Sequence, residues 1–406
     1  MKKRLKKLFD NSRHHFEPGG RLSALHSVYD GLDTFLFTPS TTSVSGTHVH
    51  DSMDSKRAMI IVVVALLPCL LFGIYNTGYQ HWLACGATTF PFWELVLYGF
   101  LAVLPRIVVS YVVGLGIEFI SAQMRHEEIQ EGFLVTGLLI PLICPVETPL
   151  WMLAVATAFS VIFVKEVFGG TGYNVFNVAL VTRAFLFFAY PSQMSGDKAF
   201  VATDPICGIG GTAPDTFTAA TPLGQMATSI ADNGLESVTN IAGQTVTTWD
   251  AFLGLIPGSF GETSTLCICI GALILLFTGM ASWKIMLSAV AGGLGMAALA
   301  HVCANDLYPI SFVNPFDQLF LGGFAFAVVY MATDPVTAAR TETGKWIYGF
   351  LVGAIAILIR VYNNGYPEGA MLAVLLMNAL APLIDYCVVA SNITRRRKRL
   401  KTSTVQ

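Results

Sequence analysis

Apolar runs of about 20 residues, the length a helix needs to cross the hydrocarbon core of a bilayer, recur along the whole chain. They fall at approximately 58–78, 93–121, 132–146, 149–165 and 177–190, and again at 264–281, 285–303, 318–332, 346–361 and 369–389. Hydrocarbon offers no partner to a free backbone N–H or C=O, so each run must satisfy its own hydrogen bonds as a helix. Composition agrees: the chain is 54% hydrophobic and 12% charged with a mean hydropathy of +0.61, against about 25% charged in soluble proteins. The expectation is an all-α polytopic membrane protein of about ten transmembrane helices. Its parts are a tail at 1–57, a five-helix unit at 58–190, a polar interval at 191–262, a second five-helix unit at 263–390 and a basic tail at 391–406.

Several runs carry breaks. Pro141 and Pro145 interrupt the third, Gly169-Gly170-Thr171-Gly172 precedes the fifth, and Thr333-Asp334-Pro335 ends the eighth, so discontinuous helices inside a bundle are expected. The halves also match each other. Trp151 is followed fourteen residues later by Lys165 and then by a Gly-rich turn; Trp346 is followed fourteen residues later by Arg360 and then by Asn363-Asn364-Gly365. A repeat with an odd number of spans turns its second copy upside down, the inverted plan in which broken helices meet near the midplane and form the binding site.

Charge orients the frame. The tails hold fifteen of the 24 Lys and Arg, including Arg395-Arg396-Arg397-Lys398-Arg399, whereas 191–262 holds only Lys198 against seven acids. The positive-inside rule then puts both tails in the cytoplasm and 191–262, after an odd number of spans, on the exported side. The N-terminus runs from basic into polar sequence with no short apolar core, so it is not read as a cleavable signal peptide. Eight scattered cysteines without a CxxC pair read as small buried hydrophobes; no metal site, disulfide frame or nucleic-acid partner is expected. Glu118, Asp385, Arg106 and Arg183 lie inside apolar segments, where an ionisable group is costly and so is functional or paired.

Within the polar interval, Asp215-Thr216-Phe217-Thr218-Ala219-Ala220-Thr221-Pro222 is by composition a loop with a turn at its proline. It resembles the flavin-attachment motif of the membrane subunits of Na+-translocating NADH:quinone reductases and related Rnf complexes. Thr218 stands where that motif has Ser, and Ala219 where it has Gly. Further stretches are similar to the B-type membrane subunits of the quinone reductases over nearly the whole chain: HHFEPGG, HEEIQEGFLVT, VKEVFGGTGYNVFN, RAFLFFAYP, GETSTL, MATDPV and YPEGAMLAVLLMNALAPLID.

The resemblance implies site residues. Thr221 would carry FMN covalently through a phosphoester, and Asn174, Asn177 and Asp334 would hold riboflavin noncovalently. By themselves, these last three at helix breaks read first as caps of broken helix ends, a role compatible with ligand binding. Gly114, Ile129, Glu131, Gly132 and Phe133 would line a quinone site, with Leu115 where the family tends to have a second Gly. Glu118 and Asp385 would take up sodium, a hard cation that wants oxygen ligands; an interfacial helix-end charge is the plainer alternative. The implied whole is a flavoprotein subunit of a hetero-oligomeric complex in a bacterial inner membrane, passing electrons from FMN through riboflavin to quinone with Na+ export. No GxGxxG fingerprint follows a strand, so NADH would be oxidised on a partner subunit. Two other readings stand beside it: an Rnf-type D subunit, which lacks the long N-terminal tail, and a passive transporter or channel of inverted-repeat fold.

Overall fold

The computed structural model of the chain describes Tyr29, residues 45–47 and most of 55–403, leaving out 88, 90, 126–131, 195–199, 213–219, 229–233, 306, 364 and 366–367. The expected tail motif around His14 and His15 lies outside the described residues. So do Ile129, Glu131, Asp215 and Thr218.

The first apolar unit forms α1 (Ser55–Ala84), α2 (Phe92–Arg125), α3 (Phe133–Ile143), α4 (Leu150–Ser160, prolonged by a π turn Val161–Glu166) and α5 (Val178–Ala189). The second forms α6 (Thr265–Phe277), α7 (Trp283–Val302), α8 (Phe324–Phe326, continuing as a π turn Ala327–Met331), α9 (Glu342–Tyr362) and α10 (Ala370–Ser403). Among the described residues no strand forms; there are only two isolated bridges. The chain is thus an all-α, multi-pass membrane protein. α1, α2, α7, α9 and α10 are long and apolar enough to cross a bilayer. At 11, 12 and 13 residues, α3, α5 and α6 reach only about 17–20 Å of the roughly 30 Å required, which makes them half-helices.

Local chemistry sets the breaks. Pro141 lies in the last turn of α3, and Cys144 beyond it is extended. The π turn of α4 ends in Gly169, Gly170 and Gly172, all at positive φ, a conformation that side chains resist. The Asn177 side chain caps α5 by accepting from Leu180 N at 3.2 Å, and Thr341 caps α9 by accepting from Gly344 N at 3.1 Å. Small residues let α7 and α9 cross closely: a Cβ on Gly353 or Gly292 would strike the backbone of Ala289 or Phe350. α1 packs on α2 and, across the halves, on α6. Large apolar side chains such as Leu71, Trp93, Val112, Phe163, Phe188 and Phe277 face outward, as lipid requires.

One packing unit occurs twice. In the first half, Gly114 of α2 makes room for the Phe133 ring at the start of α3, and Lys165 Nζ lies 5.8 Å from that ring's centre. In the second, a Cβ on Gly293 of α7 would come within 2.7 Å of the Phe324 ring at the start of α8, and Arg360 Cζ lies 6.0 Å from its centre. The Lys165 and Arg360 match in sequence is therefore a match in space. It supports two repeats of one unit.

The basic stretch of 391–406 is helical as far as Ser403, continuing α10; Arg and Lys are good helix formers and suit a helix C-terminus. Two expectations change. α1 extends to Ala84, beyond the apolar run ending at 78, because its polar residues find partners. Asn76 Nδ2 donates to Ile256 O at 3.1 Å, and His81 Nδ1 lies 2.7 Å from Ala202 O while its ring stacks on Tyr98 at 4.0 Å. Cysteine burial holds only for Cys69, Cys144 and Cys267; Cys207, Cys269, Cys303 and Cys387 are exposed. On a membrane helix an outward Cys meets lipid, so apolar character does not imply a buried position.

Candidate functional site

Asn174 and Asn177, after the glycine break, meet Asp334, from the break of the other half, on one cavity of about 170 Å3. A single water needs only about 10–15 Å3 on that measure, so this space is ligand-sized. Its apolar wall comes from Val62, Val135, Leu139, Leu275 and Tyr330; Gly132, Thr136, Lys165, Thr171 and Thr333 complete it. The expected convergence of the two breaks is present, and Ala58 and Met59 in the first turns of α1, with Met280 and Ala281 beyond the end of α6, also line the cavity.

The Asn and Asp groups also serve the backbone. Asp334 accepts from Val336 N and from Thr337 Oγ1, both at 3.1 Å, and the Asn177 side chain reaches the same carboxyl. Asn174 Nδ2 donates to Phe176 O at 2.9 Å. These bonds hold the polar rim rigid and leave each group with further hydrogen-bonding capacity. The Thr171 hydroxyl, also in the wall, is buried and has no partner among the described residues. A buried unpaired hydroxyl costs about 1–3 kcal/mol, which a hydrogen-bonding ligand would recover.

Beside the cavity lies a buried ion pair. Lys165 Nζ donates to Glu118 Oε1, with both side chains almost fully enclosed, while Glu118 Oε2 has no partner among the described residues. Arg125 and Ser121 both contact Glu166 one residue on, which ties the end of α2 to the π turn. Gly114 and Phe133 pack under Lys165, and a Cβ on Gly132 would collide with Thr171. The structure therefore brings Gly114, Gly132, Phe133 and Glu118 into one neighbourhood around Lys165.

Asp385 sits elsewhere, against the start of α9. Its carboxylate accepts from Arg340 N at 2.8 Å, Thr341 N at 3.0 Å and Thr341 Oγ1 at 2.5 Å. That is an anchor for a helix start, made by a half-buried residue.

Thr221 is half-buried directly before the short helix Pro222–Thr228, and its hydroxyl accepts from Gly224 N at 3.2 Å. It borders a cleft of only about 20 Å3 lined also by Leu223, Glu262, Thr263, Gly322 and Glu368. Behind the cleft, Arg183 bridges Glu262, at 2.7 Å, and Glu368. Burial pushes the Glu262 carboxyl above the usual range, against the pull of Arg183. This gives Arg183 the partners that sequence alone could not supply. Arg106 bonds its own helix at Ala102 O, 2.5 Å away. Reading the sequence missed Lys165 and Thr171 as site residues. Lys165 had one signal, its match to Arg360; Thr171 had none.

The family described as NQR2, RnfD, RnfE matches residues 42–394 of the chain. Curated relatives, each named as the B component of a Na(+)-translocating NADH-quinone reductase, align over almost their whole length. Those of Pseudomonas paraeruginosa and Klebsiella pneumoniae subsp. pneumoniae are 40% and 41% identical, each covering 97% of this chain and 99% of the relative. That of Ectopseudomonas mendocina is 41% identical with the same coverage.

Proposed function

The chain belongs to the NQR2, RnfD, RnfE family, and on that premise we propose that it is the B-type membrane component of a Na+-translocating NADH:quinone reductase in a bacterial inner membrane. The observation that carries this reading is the single cavity shared by Asn174, Asn177 and Asp334, with the unpartnered Thr171 hydroxyl in its wall. Its apolar faces and polar rim suit a planar heteroaromatic ligand with hydrogen-bonding edges, and riboflavin is of that kind. Thr221 offers a hydroxyl at the lip of a cleft too small for a ring system, which suits covalent attachment of FMN outside it. The flavins would supply the electron-transfer chemistry; the chain supplies position, dielectric and charge.

In this reading Asn174, Asn177, Asp334 and Thr171 orient the noncovalent flavin and exclude water from it. Gly114, Gly132 and Phe133 form the quinone-facing wall, with Lys165 fixing the Phe133 ring, and Ile129 and Glu131, carried over from the resemblance, lie outside the described residues. Glu118 and Asp385 take part in sodium uptake, for which Glu118 Oε2 offers an acceptor that has no partner among the described residues. Both tails lie in the cytoplasm and Thr221 on the exported side, and NADH is oxidised on a partner subunit. The long N-terminal stretch favours the quinone reductase over the ferredoxin-linked Rnf-type D subunit.

The test is the flavin content of the purified complex. Denaturation should release riboflavin and leave one fluorescent flavin on the chain. Thr221→Ala should abolish in-gel fluorescence and Thr218→Ala should keep it. Asn177→Leu should weaken riboflavin retention about ten- to hundredfold, the equivalent of one or two lost buried hydrogen bonds, with covalent FMN unchanged. Fluorescence surviving in Thr221→Ala, or equal loss of both flavins in Asn177→Leu, would sink the respective assignment.

A further inference from the structure

The cavity of Asn174, Asn177 and Asp334 adjoins a second, wider space of about 450 Å3 that shares Met280, Ala281, Thr333 and Pro335 with it. This vestibule is rimmed by Lys284, Arg340 and Lys345 with Glu342. Lys284 and Lys345 both contact the Glu342 carboxylate, so two cations share one exposed acid. Asp385 stands behind Arg340, held by backbone donors and the Thr341 hydroxyl. Three cations against Glu342 and Asp385 leave one net positive charge at the rim, which matches one phosphodiester.

The vestibule also lies at a membrane boundary by construction. Trp283 and Lys284 are the first residues of the membrane-crossing helix α7, and Glu342 and Lys345 belong to the first turn of α9. Trp283 and Trp346 pack edge to face at 5.7 Å beside it, and Lys284 lies 5.8 Å over the Trp283 ring. Paired Trp and Lys at a helix start are the side chains that settle at the headgroup level. One to two turns further into the bilayer, Leu287, Ile347 and Phe350 are exposed, an apolar outer surface along which acyl chains can lie.

We propose that this vestibule is a binding site for the headgroup of an anionic phospholipid, with the phosphate held by Lys284, Lys345 and Arg340 and the chains running down the outer faces of α7 and α9. A soluble phosphate would use the cations alone; a lipid uses them together with the Trp pair and the apolar faces, and the geometry favours the lipid. Glu342 holds the two lysines in place when no phosphate is bound and competes with it. A headgroup seated there adjoins that cavity.

The test is lipid retention by the purified complex in detergent, read by native mass spectrometry after titration with phosphatidylglycerol, phosphatidylcholine or inorganic phosphate. Phosphatidylglycerol should be retained in preference to phosphatidylcholine. Lys284→Gln and Arg340→Gln should each weaken retention about fivefold, the usual effect of one cation near anionic headgroups. Glu342→Gln should strengthen it. That direction separates a lipid site from a purely structural Lys–Glu–Lys cluster, in which losing the acid brings no gain in binding. Equal retention of the two lipids, unchanged retention in the cation variants, or displacement by millimolar inorganic phosphate would each overturn the proposal. So would a complex in which a neighbouring protein covers this face and no variant alters bound lipid.

Discussion

Lys165→Met is the most informative perturbation of the bundle interior, because it leaves the Glu118 carboxylate enclosed with neither oxygen paired. Oε1 now accepts from Lys165 and Oε2 has no partner among the described residues, with both side chains only about 5–6% exposed. Breaking a buried pair from one side typically costs about 3–5 kcal/mol, since the surviving charge keeps its desolvation penalty and loses its compensation. Even about 3 kcal/mol is over a hundredfold in an equilibrium constant. Met keeps much of the volume and the contact with the Phe133 ring, so packing changes little. Glu118→Gln, which leaves Lys165 charged and without its counter-ion, should cost a similar amount. The double variant, neutral on both sides, should recover about 2–3 kcal/mol relative to the sum of the single effects, a coupling within the measured range for contacting residues. The assay is unfolding of the four purified proteins, followed by loss of monodisperse complex against temperature or denaturant. Additive single effects would refute the argument and mean that water already reaches this pair.

Further outcomes follow from the same contacts. Gly114→Ala puts a Cβ into the enclosed Phe133 ring, and overpacking of this kind costs roughly 1–3 kcal/mol; quinone KM and inhibitor sensitivity should change more than flavin content does. A variant with unaltered quinone kinetics would separate Phe133 from the quinone wall. Asp385→Asn retains one acceptor oxygen for the start of α9 but removes the charge, so a role in sodium uptake predicts a raised half-saturating sodium concentration for quinone reduction with normal expression. A purely anchoring role predicts lower stability with sodium dependence unchanged.

The amino-acid pattern alone determined the fold class and where the helices break. These are local consequences: an apolar run in hydrocarbon has only the helix to satisfy its backbone, and Pro or Gly interrupts it wherever the chain is. Pairing Lys165 with Arg360 was legible for the same reason, as spacing within one segment. Tertiary structure decided what those residues touch. Only folding shows that Glu118 directs its charge at Lys165, that Arg183 is shared by Glu262 and Glu368, and that Thr171 is left with an unpaired hydroxyl in the wall it shares with Asn174 and Asp334. It also decided the outward facing of half the cysteines. Burial in a membrane protein depends on whether a neighbouring helix or a lipid covers a face, and an apolar side chain is equally suited to both. Polar partners are chosen across segments far apart in the chain, as with Glu118 and Lys165 or Asn177 and Asp334, so no run of sequence contains the pair.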